Sequence, residues 1–222
     1  MADIQHIFLD LDGTLTDPKQ GIHGSIRYAL TKMGQPLSEN INIDWTIGPP
    51  LKASLAKLLN TQDESAAEQA LQYYRERFST IGLYENVPYP HVQQTLQQLQ
   101  HRGYQLYLAT AKPQVYAVRI LEHFDLLKYF TQPYGSELTG ERTNKGDLIQ
   151  YILQQEALAP ETCVMVGDRE YDILGARRNR VKSIAVTYGY GTEQELGQAQ
   201  ANQEITQFSE LLEFFPKRIL SV

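Results

Sequence analysis

Two aspartates, Asp10 and Asp12, stand at the end of a short apolar run, Ile7-Phe8-Leu9-Asp10-Leu11-Asp12-Gly13-Thr14. Side chains two apart on a strand point to the same side, so the two carboxylates share a face and repel. Packing supplies no reason to put that repulsion at the end of a buried strand, whereas a bound cation would relieve it. The run therefore reads as a metal and phosphate site. A second acidic pair, Asp168 and Asp172, follows the apolar run Val164-Met165-Val166-Gly167. Their spacing of four places them one turn apart on the same face of a helix.

Such groups need elements to hold them. The first strand is expected at about Gln5–Leu11, and a long segment without convincing strands follows, from about Pro18 to Glu85. Helix patterns fall near Gly21–Gly34, Pro50–Asn60 and Asp63–Ile81. The last opens on Asp63 as a capping residue, with Leu71, Tyr74 and Phe78 at helical spacing. After Pro88 strands and helices alternate. Helices are expected at Pro90–Arg102, Pro113–Phe124, Asn144–Glu156, Tyr171–Asn179 and Thr192–Ala199, with a final one near the end. Strands are expected at Tyr104–Thr110, Tyr129–Tyr134, Cys163–Val166, Ser183–Thr187 and Glu204–Gln207. Alternation of this kind implies an α/β fold, a Rossmann-like parallel sheet sandwiched by helices, which binds ligands at the carboxyl ends of its strands. Residues 17–86 would form an inserted all-helical cap domain, and residues 1–16 with 87–222 the core.

The run Asp10-Leu11-Asp12-Gly13-Thr14 resembles the first motif of the haloacid dehalogenase superfamily, Asp-x-Asp-Gly-Thr, at each fixed position. The other three motifs of that superfamily have counterparts in order. Thr110 ends the run Leu106-Tyr107-Leu108-Ala109. Lys145 opens a helix in Thr143-Asn144-Lys145-Gly146-Asp147. Gly167-Asp168-Arg169-Glu170-Tyr171-Asp172 supplies the acidic fourth. Gly48-Pro49-Pro50-Leu51, Ala111-Lys112-Pro113, Gly135-Ser136 and Val186-Thr187-Tyr188-Gly189-Tyr190-Gly191 resemble the branch of phosphoglycolate phosphatases and small-molecule phosphatases, nucleotidases among them. One departure is His91, where that branch often has glycine; at a helix start a small local effect is expected.

The resemblance implies a phosphomonoester hydrolase. Asp10 would be the nucleophile, forming an aspartyl-phosphate that water hydrolyses. Asp12 would protonate the leaving alcohol and then activate the water. Mg²⁺ would be held by the Asp10 carboxylate, the Asp12 backbone carbonyl and Asp168, all hard oxygen ligands. Asp172 would support the site rather than bind metal directly. Thr110 and Lys145 would hold phosphoryl oxygens. Pro49 and Lys52 are candidate cap contacts to substrate, Lys52 either meeting a substrate carboxylate or facing solvent.

Composition narrows the classes. The 222 residues, 42% apolar and 21% charged, suit a soluble globular chain with one core and a smaller insert. A formal charge of −6 argues against general binding of nucleic acid or anionic membranes. The single cysteine, Cys163, sits in an apolar run and reads as a buried small hydrophobe. No segment is long enough to span a membrane, and the N-terminus does not read as a signal peptide, so a cytoplasmic location is the expectation. The partner expected is a small phosphorylated metabolite. The lead expectation is a phosphoglycolate phosphatase-like hydrolase; the alternatives are a phosphomutase of the β-phosphoglucomutase type, which shares the motifs, a nucleotidase, and a non-catalytic phospho-binding module, against which the intact acidic set counts.

Overall fold

In a computed structural model, which describes residues 4–218, the chain divides into two compact units. One runs to Asp17 and resumes at Pro88; the other is Pro18–Val87. The strands are β1 (His6–Leu9), β2 (Thr16–Asp17), β3 (Val87–Pro88), β4 (Gln105–Pro113), β5 (Gln132–Ser136), β6 (Cys163–Gly167), β7 (Lys182–Val186) and β8 (Gln203–Ile205). The helices are α1 (Lys19–Lys32), α2 (Leu51–Leu58), α3 (Glu64–Arg77), α4 (Val92–His101), α5 (Gln114–His123), α6 (Lys145–Gln155), α7 (Glu170–Arg178), α8 (Glu193–Ala199) and α9 (Leu211–Phe214).

Six strands form one sheet in the order β5-β4-β1-β6-β7-β8, and every pairing given for it is parallel. β1 and β6 lie at its centre. That position explains the apolar runs Ile7-Phe8-Leu9 and Cys163-Val164-Met165-Val166, because a parallel strand covered on both faces has no polar side. All five residues of β6 are buried, Cys163 among them, and burial pushes its thiol up to about 11. Phe8, Tyr107, Met165, Leu148, Ile149 and Ile152 pack together as the core between the sheet and α6.

From β1 the core chain winds outward through β4 and β5, then returns to β6 and winds the other way through β7 and β8. The reversal falls between β1 and β6. At such a switch point the two connections leave in opposite directions and open a crevice beyond the carboxyl ends. The registers Leu9↔Leu108 and Leu9↔Val166 set Asp10, Thr110 and Asp168 one or two residues beyond neighbouring positions on β1, β4 and β6.

The second unit is built from α1, α2 and α3. Asp63 caps α3 as its sequence suggested, its Oδ1 accepting from Ser65 N at 2.8 Å. The helical pattern runs past Arg77 into a π-turn, Phe78–Gly82, and Tyr74 stacks on Phe78 with ring centroids 5.1 Å apart. Arg77 forms a two-pronged pair with Glu85, at 2.8 and 3.0 Å. No helix among the described residues is long and apolar enough to cross a membrane.

One expectation is corrected, at β4, and the structure adds a dihedral at His91. The strand expected to end at Thr110 continues to Pro113, with its register against β5 shifting between Ala109 and Pro113. His91, expected to have little local effect, sits in the left-handed region at φ +64° as the N-cap of α4. That region crowds a Cβ and favours glycine, which accounts for the glycine common there in the resembling sequences.

Candidate active site

The chain leaves β1 at Asp10 and turns sharply. The amides of Thr14, Leu15 and Thr16 all return to the carbonyl of Leu11, and Gly13 N donates to Thr16 O at 2.8 Å. The turn requires φ +83° at Gly13, and a Cβ there would lie 2.1 Å from Asp168 Oδ2. Glycine is thus needed twice, for its dihedral and for the close approach of the β6 loop. β6 ends beside β1, and Asp10 N donates to Val166 O at 3.0 Å, so Asp168 arrives next to Asp10.

Lys145 comes from the first turn of α6, where Asn144 caps the helix by accepting from Gly146 N and Asp147 N. Asp172 comes from the first turn of α7. Gly175 lets the two helices meet, since a Cβ there would lie 2.9 Å from Gly146 N. The Lys145 ammonium, 5% exposed as a residue, reaches Asp10 Oδ1 at 2.8 Å, Asp172 Oδ1 at 2.7 Å and Ala109 O at 2.7 Å. Its three donors are all used. Burial opposes its charge, but the Asp10 and Asp172 carboxylates win and hold Lys145 above the ordinary lysine range.

One oxygen each from Asp10, Asp168 and Asp172 lie within 4.8 Å of one another. The two oxygens of Asp172 are otherwise engaged, Oδ1 with Lys145 and Oδ2 with Arg169 N at 3.1 Å. Asp168 Oδ2 accepts from Tyr190 N at 2.7 Å, while its buried Oδ1 has no hydrogen-bond partner among the described residues. Burial, then the charges of Asp10 and Asp172, push the Asp168 carboxyl well above the usual carboxylate range. Burial likewise raises Asp172 and Asp12, against the pull of Lys145 on the first and of Lys112 on the second.

Four carboxylates, Asp10, Asp12, Asp168 and Asp172, thus face the two ammonium groups paired with them, leaving a formal excess of two negative charges. Arg169 pulls only weakly on Asp168 and is itself paired with Glu195 at 2.8 Å. A bare buried carboxylate oxygen, an all-oxygen donor set and a twofold charge deficit fit a hard divalent cation.

Thr110 lies in β4, 2% exposed, and its Oγ1 accepts from Lys112 N at 3.3 Å, leaving its own hydrogen to donate. Asp10, Asp12, Thr110, Lys145, Asp168 and Asp172 therefore all belong to the core unit, with Asp10, Asp12, Asp168 and Asp172 beyond the carboxyl ends of β1 and β6 and Thr110 within β4. Pro49 and Lys52 belong to the helical unit, around the start of α2. Lys52 is shared between Glu64 and Glu68 of α3, at 2.8 and 3.3 Å. One residue of the site was not anticipated: Lys112, whose ammonium lies 2.8 Å from Asp12 Oδ2.

A family model described as haloacid dehalogenase-like hydrolase matches residues 7–186. The chain belongs to this family. It is 46% identical over 191 residues to a 5'-nucleotidase of Pseudomonas aeruginosa, covering 86% of each chain. It is 35% identical to the tyrosine-protein kinase PtkA of Mycobacterium tuberculosis over 84% of this chain and 63% of that one. It is 28% identical to a phosphoglycolate phosphatase of Aliivibrio fischeri over 95% and 96%. Among solved structures, a predicted phosphatase from Clostridium acetobutylicum superposes with a TM-score of 0.90 at 39% identity, covering 95% of this chain and 97% of that one. This hydrolase is an enzyme whose relatives include proteins named 5'-nucleotidase and phosphoglycolate phosphatase and whose structural neighbours include a predicted phosphatase.

Proposed function

We propose that the enzyme is a Mg²⁺-dependent phosphomonoesterase that hydrolyses a small phosphorylated metabolite through an aspartyl-phosphate on Asp10. What carries the reading is the buried Asp10 carboxylate at the β1 terminus, joined to Lys145 and beside the bare oxygen of Asp168.

Asp10 attacks phosphorus, and a bond from its carboxylate oxygen forms as the ester P–O bond breaks. Asp12 gives its proton to the departing alcohol oxygen. It then takes a proton from the water that attacks the aspartyl-phosphate, and the second P–O cleavage frees Asp10 and inorganic phosphate. Thr110 donates to a phosphoryl oxygen. Lys145 offsets the charge that builds around Asp10, exchanging a protein contact for a phosphoryl oxygen. The Asp10 and Asp168 carboxylates and the Asp12 backbone carbonyl would hold Mg²⁺, with Asp172 steadying Lys145. Bound there, the cation supplies positive charge to the phosphoryl oxygens.

The substrate reading moves from phosphoglycolate toward a nucleoside 5'-monophosphate, since the 5'-nucleotidase relative is 46% identical and the phosphoglycolate phosphatase 28%. The helical unit serves as a cap that sets specificity. The commitment of Lys52 to Glu64 and Glu68 weighs against its meeting a substrate carboxylate, and Pro49 remains the candidate contact there. A buried lone thiol suits a reducing, cytoplasmic setting.

The test is phosphate release with Mg²⁺ from nucleoside monophosphates, phosphoglycolate, sugar phosphates and pyrophosphate. Hydrolysis is expected, with nucleoside 5'-monophosphates preferred. Asp10→Asn should abolish it, and Asp12→Asn should cost at least ~10²-fold. Normal turnover by the Asp10 variant refutes the nucleophile. Isomer formation without phosphate release from a sugar phosphate indicates a mutase, and a tyrosine acceptor a kinase.

A further inference from the structure

Lys112 has no part in the reaction described above, yet its position is costly. Its side chain is 6% exposed, and its ammonium lies 2.8 Å from Asp12 Oδ2. Removing a lysine from water is unfavourable unless a well-placed partner repays it. Nothing in the local sequence forces the burial. Lys112 lies where β4 runs three residues past Thr110 and shifts register.

Several contacts hold that extension still. Lys112 N donates to Thr110 Oγ1, Ser136 Oγ donates to Ala111 O at 2.8 Å, and Pro113 follows at once as the N-cap of α5. The ammonium is therefore delivered from a braced backbone. The two oxygens of Asp12 then differ. Oδ2 is held by Lys112, whereas the buried Oδ1 has no hydrogen-bond partner among the described residues. One oxygen is anchored and the other is left for the reacting atoms.

The geometry points to Lys112 as a positioning residue: by pinning Asp12 Oδ2 it aims Oδ1 at the ester oxygen, so that proton delivery to the leaving alcohol depends on it. The inference rests on the phosphomonoesterase reading and on the acid–base role of Asp12 within it. A phosphate-binding or purely structural lysine would affect all esters alike. A lysine that aims the acid matters most where the leaving group needs a proton, because a nitrophenolate departs unaided and an alkoxide does not.

The experiment compares kcat/KM for an alkyl phosphate, a nucleoside 5'-monophosphate, and for p-nitrophenyl phosphate. The proteins are wild type, Asp12→Asn, Lys112→Met and Lys112→Arg, with folding followed by circular dichroism. The expected result for Lys112→Met is a loss of at least ~10-fold more on the alkyl ester than on the aryl ester, in the same direction as Asp12→Asn, where acid catalysis is worth about 10²–10⁴-fold. Lys112→Arg, which keeps the charge with a different reach, should show a smaller shift of the same sign. Equal losses on both esters, or none, overturn the inference. Should Lys112→Met not fold, the arginine variant decides, and an unchanged ester ratio overturns it. If the wild type hydrolyses neither ester, the phosphomonoesterase reading itself fails. If the wild type is active and Asp12→Asn alone shifts the ratio, only the role of Lys112 fails.

Discussion

Lys145→Met removes the cation between Asp10 and Asp172 while keeping much of the side-chain volume. Breaking a buried pair by deleting one partner costs about 3–5 kcal/mol, because the other charge is stranded. For a chain of this size each kcal/mol moves the midpoint by roughly 2–4 °C. The metal-free variant should therefore melt about 6–20 °C below wild type at pH 7.5. The deficit should also depend on pH. The Asp172 carboxyl is already raised by burial, and Lys145 is what holds it down. Without Lys145 it rises further. A carboxyl raised in the folded state adds no penalty below its unfolded value, and the penalty grows as pH climbs through the folded one. The deficit should thus be smaller at pH 5 than at pH 7.5. Asp172→Asn in the same chain removes one stranded charge and should restore at least ~1 kcal/mol, a coupling read from the double-mutant cycle. Thermal melts in EDTA at the two pH values, for wild type, both single variants and the double, measure all of this. A deficit independent of pH, or a double variant no better than the sum of the singles, would refute the stranded-charge argument.

The same sign applies to cation binding. Asp12, Asp168 and Asp172 are all raised in the metal-free protein, so Mg²⁺ competes with protons, and its stabilising effect should grow from pH 5.5 to pH 7.5. At a concentration near 100 times Kd the gain is about 2.7 kcal/mol, or roughly 5–11 °C. Thermal shifts measured against Mg²⁺ concentration should show this, and Asp168→Asn should erase it; equal shifts at both pH values contradict the competition. His91→Gly relieves a left-handed residue, worth about 1–2 kcal/mol, against roughly 0.5–1 kcal/mol of added backbone entropy. A small rise of the midpoint is expected, and a fall would show that the contact from His91 to Gln94 outweighs the strain.

What could be read in the sequence was whatever violates packing logic. Asp10 and Asp168 were legible because carboxylates at the ends of apolar runs make no sense as core. Alternation after Pro88 was legible for a similar reason, since helical and strand periods differ along the chain. Lys145 was legible only through family resemblance, because a lone lysine at a helix start looks like a solvated charge. Its burial depends on the start of α6 meeting α7 at Gly175, a tertiary event. Lys112 was quoted only as part of a resembling segment. Two residues past Thr110, it reads as a residue that reaches solvent, whereas it lies on the irregular end of β4 with its ammonium 2.8 Å from Asp12 Oδ2. His91 shows the limit from the other side: the helix start was evident, but the dihedral is set by the turn that feeds it. The burial of Lys145 and of Lys112, by contrast, comes from close approach of segments distant in sequence. The two lysines of the site come from such approaches, and they are what bring four buried carboxylates down to the twofold charge excess that suits one divalent ion.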